Sequence, residues 1–175
     1  ITKSNVGKVS NSGPRVGLGI MTGSFYEYAM RSEQQGGLDI FPAVSMIGYQ
    51  LEAQYVGTNN FSALAEFILN VSGLEQGQFL PTLSILNGFR FGDAGWEFAF
   101  GPTIDFTRVL DGQLDSRGDV NVSTALVFSV GKTVKSGEMN FPINAFFIPP
   151  KDGSSFRFGL SMGWNASKKQ RMLGM

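Results

Sequence analysis

Residues 47–55 read Ile-Gly-Tyr-Gln-Leu-Glu-Ala-Gln-Tyr, and their polarity changes at every step. The odd-numbered positions are apolar, whereas the even-numbered positions carry glycine, glutamine or glutamate. Successive side chains of a β-strand point to opposite faces, so this pattern predicts a strand with one apolar face and one hydrogen-bonding face. Turn-forming residues follow at 57–60, where the strand is expected to end.

The same alternation recurs in further segments, at about 15–20, 61–72, 79–91, 96–107, 120–131, 141–147 and 156–165. Most have roughly the 9 to 13 residues that a tilted membrane-spanning strand needs. Together they predict an all-β fold, a transmembrane antiparallel up-and-down barrel of about eight strands with a filled polar lumen. Pro81, Pro102 and Pro142 fall inside these strands and each removes a ladder donor, so bulges or gaps in pairing are expected there.

Two features of the strand faces favour a membrane barrel over a soluble one. The lysines are confined to chain termini, turns and strand ends: Lys3, Lys8, Lys132, Lys135, Lys151, Lys168 and Lys169. A lysine or arginine at the lipid midplane would cost about 2–4 kcal/mol, which is a reason to keep them out. Aromatic residues are predicted to form two rims, one of Phe41, Phe79, Phe106, Phe147 and Phe156, the other of Tyr55, Phe61, Phe91, Trp96, Phe141 and Trp164.

The connections predict how the barrel sits in a bacterial outer membrane. Turns are expected at 57–60, 92–95 and about 133–138, and outer loops at about 24–41, 74–77, 109–119 and 149–154. Short turns on the periplasmic side and longer loops outside are usual, so both termini are predicted to be periplasmic. Residues 14–166 are assigned to the barrel, 1–13 to a flexible periplasmic segment and 167–175 to a C-terminal tail. The chain opens with a polar run and not with a signal peptide, so any export leader is expected to have been removed or to lie outside this sequence.

The composition argues against several function classes. The chain has 175 residues with 14 Lys+Arg against 14 Asp+Glu, so there is no electrostatic basis for binding nucleic acid. It contains no histidine and no cysteine, which removes disulfides, thiolate or histidine metal ligands and His-based catalytic triads. No catalytic residue, metal site or cofactor is therefore predicted, and the protein is expected not to be an enzyme.

The polar strand faces place a set of charged side chains inside the barrel: Arg15, Glu52, Glu66, Arg90, Glu97, Asp105 and Arg157. Arginines and carboxylates are nearly balanced in this set, which predicts a salt-bridge network that plugs and stiffens the lumen. A barrel of about eight strands is just wide enough for side chains to fill, so an open pore is not expected. A proton-accessible carboxylate pair or a small-ligand site is the alternative role of these residues.

A family resemblance rests on the stretches GPRVGLGI (13–20), GYQLEAQY (48–55), NGFRFG (87–92), WEFAFGPTIDF (96–106) and FRFGLSMGWN (156–165). They look like the small outer-membrane β-barrel domains common in Bacteroidota, of the general OmpA/OmpX-like build. The resemblance implies the fold and a place among outer-membrane lipids, including lipopolysaccharide, but little about activity. Many such proteins finish on an aromatic residue, whereas this sequence continues from Asn165 to Met175.

The first outer loop, residues 24–41, carries the apolar cluster Phe25, Tyr26, Tyr28 and Met30. An exposed cluster of this kind suits a protein interface. The predicted function is therefore a non-enzymatic structural or accessory subunit, with other outer-membrane or periplasmic proteins as partners. The alternatives are a narrow channel or transporter for small solutes, a lipid-modifying barrel enzyme and a soluble lipocalin-like binder.

Overall fold

The computed structural model describes residues 10–58, 60–92, 95–109, 119–150 and 156–166, without the side chains of residues 24, 25, 107–109 and 119–121. The long strands are β1 Gly13–Met21, β2 Ala43–Gly57, β3 Phe61–Ser72, β4 Leu80–Phe91, β5 Trp96–Val109, β6 Asp119–Ser136, β7 Met139–Ile148 and β8 Arg157–Gly163. A short helix, α1 (Ser24–Met30), and a 3-10 turn (Glu33–Gln35) follow β1, and a second 3-10 turn (Leu74–Gln76) follows β3. Among the described residues, no helix combines the length and the hydropathy needed to cross a bilayer.

Strands β1 to β8 form a closed antiparallel barrel. Each strand pairs with its neighbours in the chain, and β1 also pairs with β8, with Leu18 opposite Leu160. A two-residue strand, β9 (Asn165–Ala166), pairs with the start of β7. The predicted all-β, eight-stranded up-and-down barrel is therefore confirmed. We call the end with the turns 57–60, 92–95 and 137–138 the lower end, and the opposite end the upper end.

Alternation along the strands decides which side chains face the lumen. In β2, for example, the buried Gln50 lies between the exposed Tyr49 and Leu51. The outside of the barrel is consequently a belt of exposed apolar side chains that includes Val16, Leu18, Ile47, Leu51, Leu69, Val122, Val130, Ile143 and Leu160. Aromatic rings flank this belt, with Phe147 stacked on Phe156 towards the upper end and Phe61 against Phe91 at the lower end.

The irregularities in strand pairing do not all lie where the sequence predicts them. The register shifts between Gln54 and Val56, so the bulge lies at Tyr55 rather than at a proline. Pro81 and Pro142 stay in register opposite Val71 and Thr133. Each proline lacks one ladder donor, but the pairs on both sides of it hold the register.

The expected gap in pairing occurs near Pro102, between β4 and β5. The register runs from Ser84 opposite Thr103 to Asn87 opposite Phe100, and no pair is formed between these two. The third predicted turn, at about 133–138, is shorter than expected, because β6 continues to Ser136 and leaves only residues 137–138 for the turn.

Residues at the start of the described chain close the lower end of the barrel. Of the predicted flexible segment 1–13, residues 1–9 lie outside the described residues, whereas Asn11 is only 2% exposed. The Asn11 side chain donates to Thr133 Oγ1 at 2.8 Å, and the Ser12 hydroxyl accepts from the Glu52 backbone N–H at 2.9 Å. Residues 10–12 thus block the lower end of the barrel, and we call them the stopper. The predicted tail 167–175 lies outside the described residues.

Candidate functional site

The lower half of the lumen is closed by a buried cluster of charged side chains centred on Arg90. Its guanidinium donates two hydrogen bonds to Glu52, from Nη1 to Oε1 at 3.2 Å and from Nη2 to Oε2 at 2.8 Å. It also donates to Glu97 Oε2, from Nε at 3.0 Å and from Nη2. The register places Arg90 of β4 directly opposite Glu97 of β5, so their contact follows from the pairing of these strands. This geometry is that of strong, charge-assisted hydrogen bonds.

Arg15 joins the cluster from the opposite side through an amide. Its Nη2 donates to Asn144 Oδ1 at 2.9 Å, and its Nη1 donates to the Ser161 hydroxyl at 3.3 Å. Asn144 in turn donates to Glu97 Oε1 at 3.4 Å. The side-chain amide of Asn144 therefore bridges Arg15 and Glu97, which do not contact each other directly.

Glu66 is the least satisfied member of this cluster. It is 1% exposed, and its Oε2 accepts a hydrogen bond from Gln50 Nε2 at 3.4 Å. Its Oε1 has no hydrogen-bond partner within the described part of the chain. The side chain sits beside Gly88, where a Cβ would collide with that free oxygen. The absence of a side chain at Gly88 is thus what gives Glu66 its space.

One oxygen from each of Glu52, Glu66 and Glu97 lies within 4.8 Å of the other two, a spacing that could hold a cation. Arg90, however, already engages Glu52 and Glu97, and Arg15 supplies a second positive charge nearby. We therefore read the cluster as an internally paired plug, in which three carboxylates face two guanidinium groups.

The structure divides the predicted seven-residue network into two groups. Arg15, Glu52, Glu66, Arg90 and Glu97 meet in the lower half. Asp105 and Arg157 form a separate ion pair higher in the barrel, with 2.7 Å between Arg157 Nη2 and Asp105 Oδ2. Gln50 and Asn144 were not among the predicted site residues, although both lie on the polar faces of their strands, which is the signal that could have identified them.

Above the cluster, the lumen is not filled. A cavity of about 660 Å³ extends from Arg15 and Ser161 at its floor to Tyr28 and Pro150 at its upper end. The prediction of a filled lumen therefore holds only for the lower half. The reason is local composition, since several of the inward positions at this level are small: Gly17, Gly19, Ser84, Ser123, Ala125 and Ser129.

A folded cap formed by the loop between β1 and β2 covers part of the upper end. Buried Ala29, Leu38 and Ile40 pack with Met21 and Val44 at the upper ends of β1 and β2. The loop folds back on α1 through backbone hydrogen bonds, from Leu38 N–H to Tyr28 C=O at 3.2 Å and from Ile40 N–H to Ala29 C=O at 2.7 Å.

The second outer loop braces this cap. Glu75 accepts hydrogen bonds from the Ser45 backbone N–H at 2.7 Å and from the Ser45 hydroxyl at 2.5 Å. Slight desolvation acts to raise the pKa of Glu75, but the hydrogen bonds from Ser45 outweigh it, so this pKa lies below its ordinary value. Gln78 donates to the Leu38 carbonyl and to Glu33, each at 3.1 Å, which ties the two loops together.

The structure places the predicted partner-binding residues of the first loop in different environments. Tyr26 and Met30 are 43% and 48% exposed, as a binding surface requires. Tyr28 is half-buried, packs on the cap core and lines the cavity. The Phe25 side chain lies outside the described residues. The helical period of α1 explains the division, because Tyr26 and Met30 are four residues apart on one face and Tyr28 lies on another.

The strand order and the exposed apolar belt define the class of fold as a small, closed β-barrel of the kind found in membranes. No protein-family model matches the chain, and no curated protein matches it in sequence. Among solved structures, it is similar to Ail, the attachment invasion locus protein of Yersinia pestis, in complex with the heparin analogue sucrose octasulfate. The TM-score is 0.50, with 12% sequence identity over 89% of this chain and 97% of the Ail chain.

The Ail barrel is a membrane barrel, so the comparison agrees with the fold class. An identity of 12% supports the fold alone. Membership of the OmpA/OmpX-like family stays a prediction.

Proposed function

We propose that this chain is an integral outer-membrane barrel that does not conduct solutes, performs no catalysis and serves as an accessory subunit for protein partners. The observation that carries the proposal is the combination of an apolar belt on the outside with a charge-paired plug inside. Burying the belt in lipid removes a large apolar surface from water. The likeness to Ail, a membrane barrel, supports the same placement.

The orientation we propose has both ends of the chain in the periplasm. The lower end carries the two-residue turn at 137–138, whereas the connection from β1 to β2 at the upper end contains α1 and a 3-10 turn. Short periplasmic turns and longer outer connections are the usual arrangement in outer-membrane barrels.

The non-enzymatic part of the proposal rests on the chemistry of the chain. It has no histidine or cysteine to act as base or nucleophile. The buried carboxylates that could transfer protons are engaged with Arg90, or lie beside it at the bottom of the lumen. They are therefore poorly placed to reach a substrate.

Protein partners are proposed to bind the cap, where Tyr26 and Met30 present adjacent apolar surface held by a folded loop. A sulfated sugar, the ligand in the Ail complex, is less well supported here. The described part of the first loop carries Glu27, Glu33 and Asp39 against a single basic residue, Arg31.

The test is gentle detergent extraction from native membranes, followed by sizing and mass spectrometry of co-migrating proteins. We expect the chain to run with larger subunits in a fixed ratio, and the double change Tyr26→Ala with Met30→Ala to reduce that association. Val134→Ala, which also truncates an exposed apolar side chain but at the lower end, is the matched control. Migration of the native chain as a free monomer would contradict the accessory role.

A further inference from the structure

Strand β6 is longer than its neighbour β7, and this mismatch opens the barrel wall. On one side, β6 pairs with β5 from Lys132, opposite Trp96, up to Asp119, opposite Val109. On the other side, its pairing with β7 reaches only Phe128, opposite Phe147. Within the described residues, positions 119–127 of β6 therefore have no register partner on β7. We call this opening the β6–β7 split.

The sequence after β7 is poorly suited to extending the ladder past this point. Strand β7 ends at Ile148 and is followed by Pro149 and Pro150. Proline has no backbone N–H, so neither residue can donate to the edge of β6 that has no partner on β7. The sequence thus weakens any pairing with β6 at these two positions.

At the split, only a thin wall separates the lumen from the outer surface of the barrel. Thr124, Ala125, Pro149 and Pro150 line the luminal cavity, and the same four residues line a depression on the outside of the wall. The outer depression is completed by Pro102 and Leu126, a cross-strand pair on the outward face. Lipid-facing and lumen-facing space therefore meet across one thin part of the wall.

One part of the cavity wall beside the split is apolar, although the Asp105–Arg157 ion pair also lines the cavity. Val127 and Ile148 are buried there and form a cluster with Ile68 and Leu86, against which Phe146 packs. The cavity volume of about 660 Å³ lies within the roughly 300–1,000 Å³ of typical small-molecule sites. An alkyl chain is the ligand class that such a wall would accept most favourably.

The height of the split suits the polar end of a lipid. Phe147, the last residue of β7 paired with β6, stacks on Phe156 in the upper aromatic rim. Aromatic rims mark the membrane–water interface. A backbone edge without a partner strand is unfavourable in hydrocarbon, but at the interface the ester and headgroup oxygens of a lipid can accept hydrogen bonds from N–H groups.

We propose that the β6–β7 split is a lateral entrance, through which one acyl chain of a single-chain outer-leaflet amphiphile enters the luminal cavity while its headgroup stays at the rim. The acyl chain lies along Val127 and Ile148, and the charged cluster at Arg15 limits how deep it can reach. This inference rests on the proposed placement of the barrel in a membrane and goes beyond the accessory role.

The test uses a palmitoyl lysophosphatidylcholine with a diazirine at the end of its acyl chain, incorporated with the purified full chain into phosphatidylcholine nanodiscs. After illumination, mass spectrometry maps the adducts. We expect adducts on the cavity-facing Val127 and Ile148 as well as on the outward-facing Leu126 and Leu160. Ala125→Trp is expected to obstruct the split and reduce the cavity adducts about tenfold, equivalent to about 1.4 kcal/mol, with the outward adducts unchanged.

Leu18→Trp, which places the same indole ring on the outward face, is the matched control and should leave the cavity adducts intact. If Ala125→Trp does not fold, Ser123→Trp tests the same opening at an exposed position. Adducts confined to outward-facing residues would overturn the entrance while leaving the membrane placement standing. Cavity adducts that neither tryptophan reduces would also overturn it. A lack of adducts on Leu126 and Leu160 would overturn the membrane placement itself, and the entrance with it.

Discussion

Arg90 is the residue on which the closure of the lumen depends most directly. Its guanidinium bridges Glu52 and Glu97, and all three side chains are almost inaccessible to water. Removing one partner of a buried ion pair leaves the other charges buried and uncompensated, which is more costly than the net value of the pair.

Arg90→Met is therefore expected to destabilise the folded barrel by about 3–5 kcal/mol. Unfolding by urea in detergent micelles, followed by the fluorescence of Trp96 and Trp164, measures this loss. Arg157→Met is the matched control, because its ion pair with Asp105 is more accessible to solvent and should cost less. If the two variants lose the same free energy of unfolding, burial does not determine how much each ion pair contributes.

For Glu66 we expect the opposite effect of a substitution on stability. The cluster has three carboxylates for two guanidinium groups, and Glu66 is the one that Arg90 does not contact. Glu66→Gln removes the excess negative charge and keeps an oxygen for Gln50, so it is expected to leave stability unchanged or raise it. Glu97→Gln breaks the contact with Arg90 and is expected to cost about 1.5–3 kcal/mol. The same urea titration ranks them, and a larger loss for Glu66→Gln would contradict our reading of the charge balance.

Among the strands, the seam between β4 and β5 leaves no room for an added side chain at Gly101. No register pair forms between Ser84–Thr103 and Asn87–Phe100, and Gly101 lies within this interval. A Cβ at Gly101 would collide with the carbonyl oxygen of Ile85, because the two backbones approach closely there.

Gly101→Ala is accordingly expected to cost about 1–3 kcal/mol through displacement of the backbone. Gly19→Ala is the matched control, since a Cβ at Gly19 would find its nearest neighbour, in the ring of Phe146, at 3.7 Å, which is ordinary contact. Heat-modifiable migration on gels and urea titration both report the difference. A Gly19→Ala variant as unstable as Gly101→Ala would mean that any added side chain in the lumen is harmful.

For the whole molecule, the main consequence of the structure is a barrel that is closed below and hollow above. The stopper at Asn11 and the cluster around Arg90 lie in series along the axis, so two barriers separate the cavity from the lower end. Cavity and closure together favour binding over conduction.

We therefore expect flat current traces when the purified protein is reconstituted in planar bilayers over a wide range of voltage. A barrel with its cluster weakened by Arg90→Ser and Arg15→Ser should show conductance steps more often, because both guanidinium groups that order the plug are absent. Regular, long-lived steps from the unmodified protein would reverse the proposal and favour the channel.

The sequence by itself determined the class of fold and the direction of nearly every strand side chain. A period of two leaves only two faces, and a one-residue slip would exchange the apolar side chains such as Leu51 with the polar ones such as Glu52, so local order is sufficient for that prediction. Tertiary structure alone decided which inward residues meet. The stagger between strands sets the height of each side chain, and this separated Asp105 and Arg157 from the cluster around Arg90. It also aligned Gly17, Gly19 and the small residues of β4 and β6 into one cavity and turned Tyr28 inward. These outcomes depend on contacts between residues far apart in the chain, which no local pattern records.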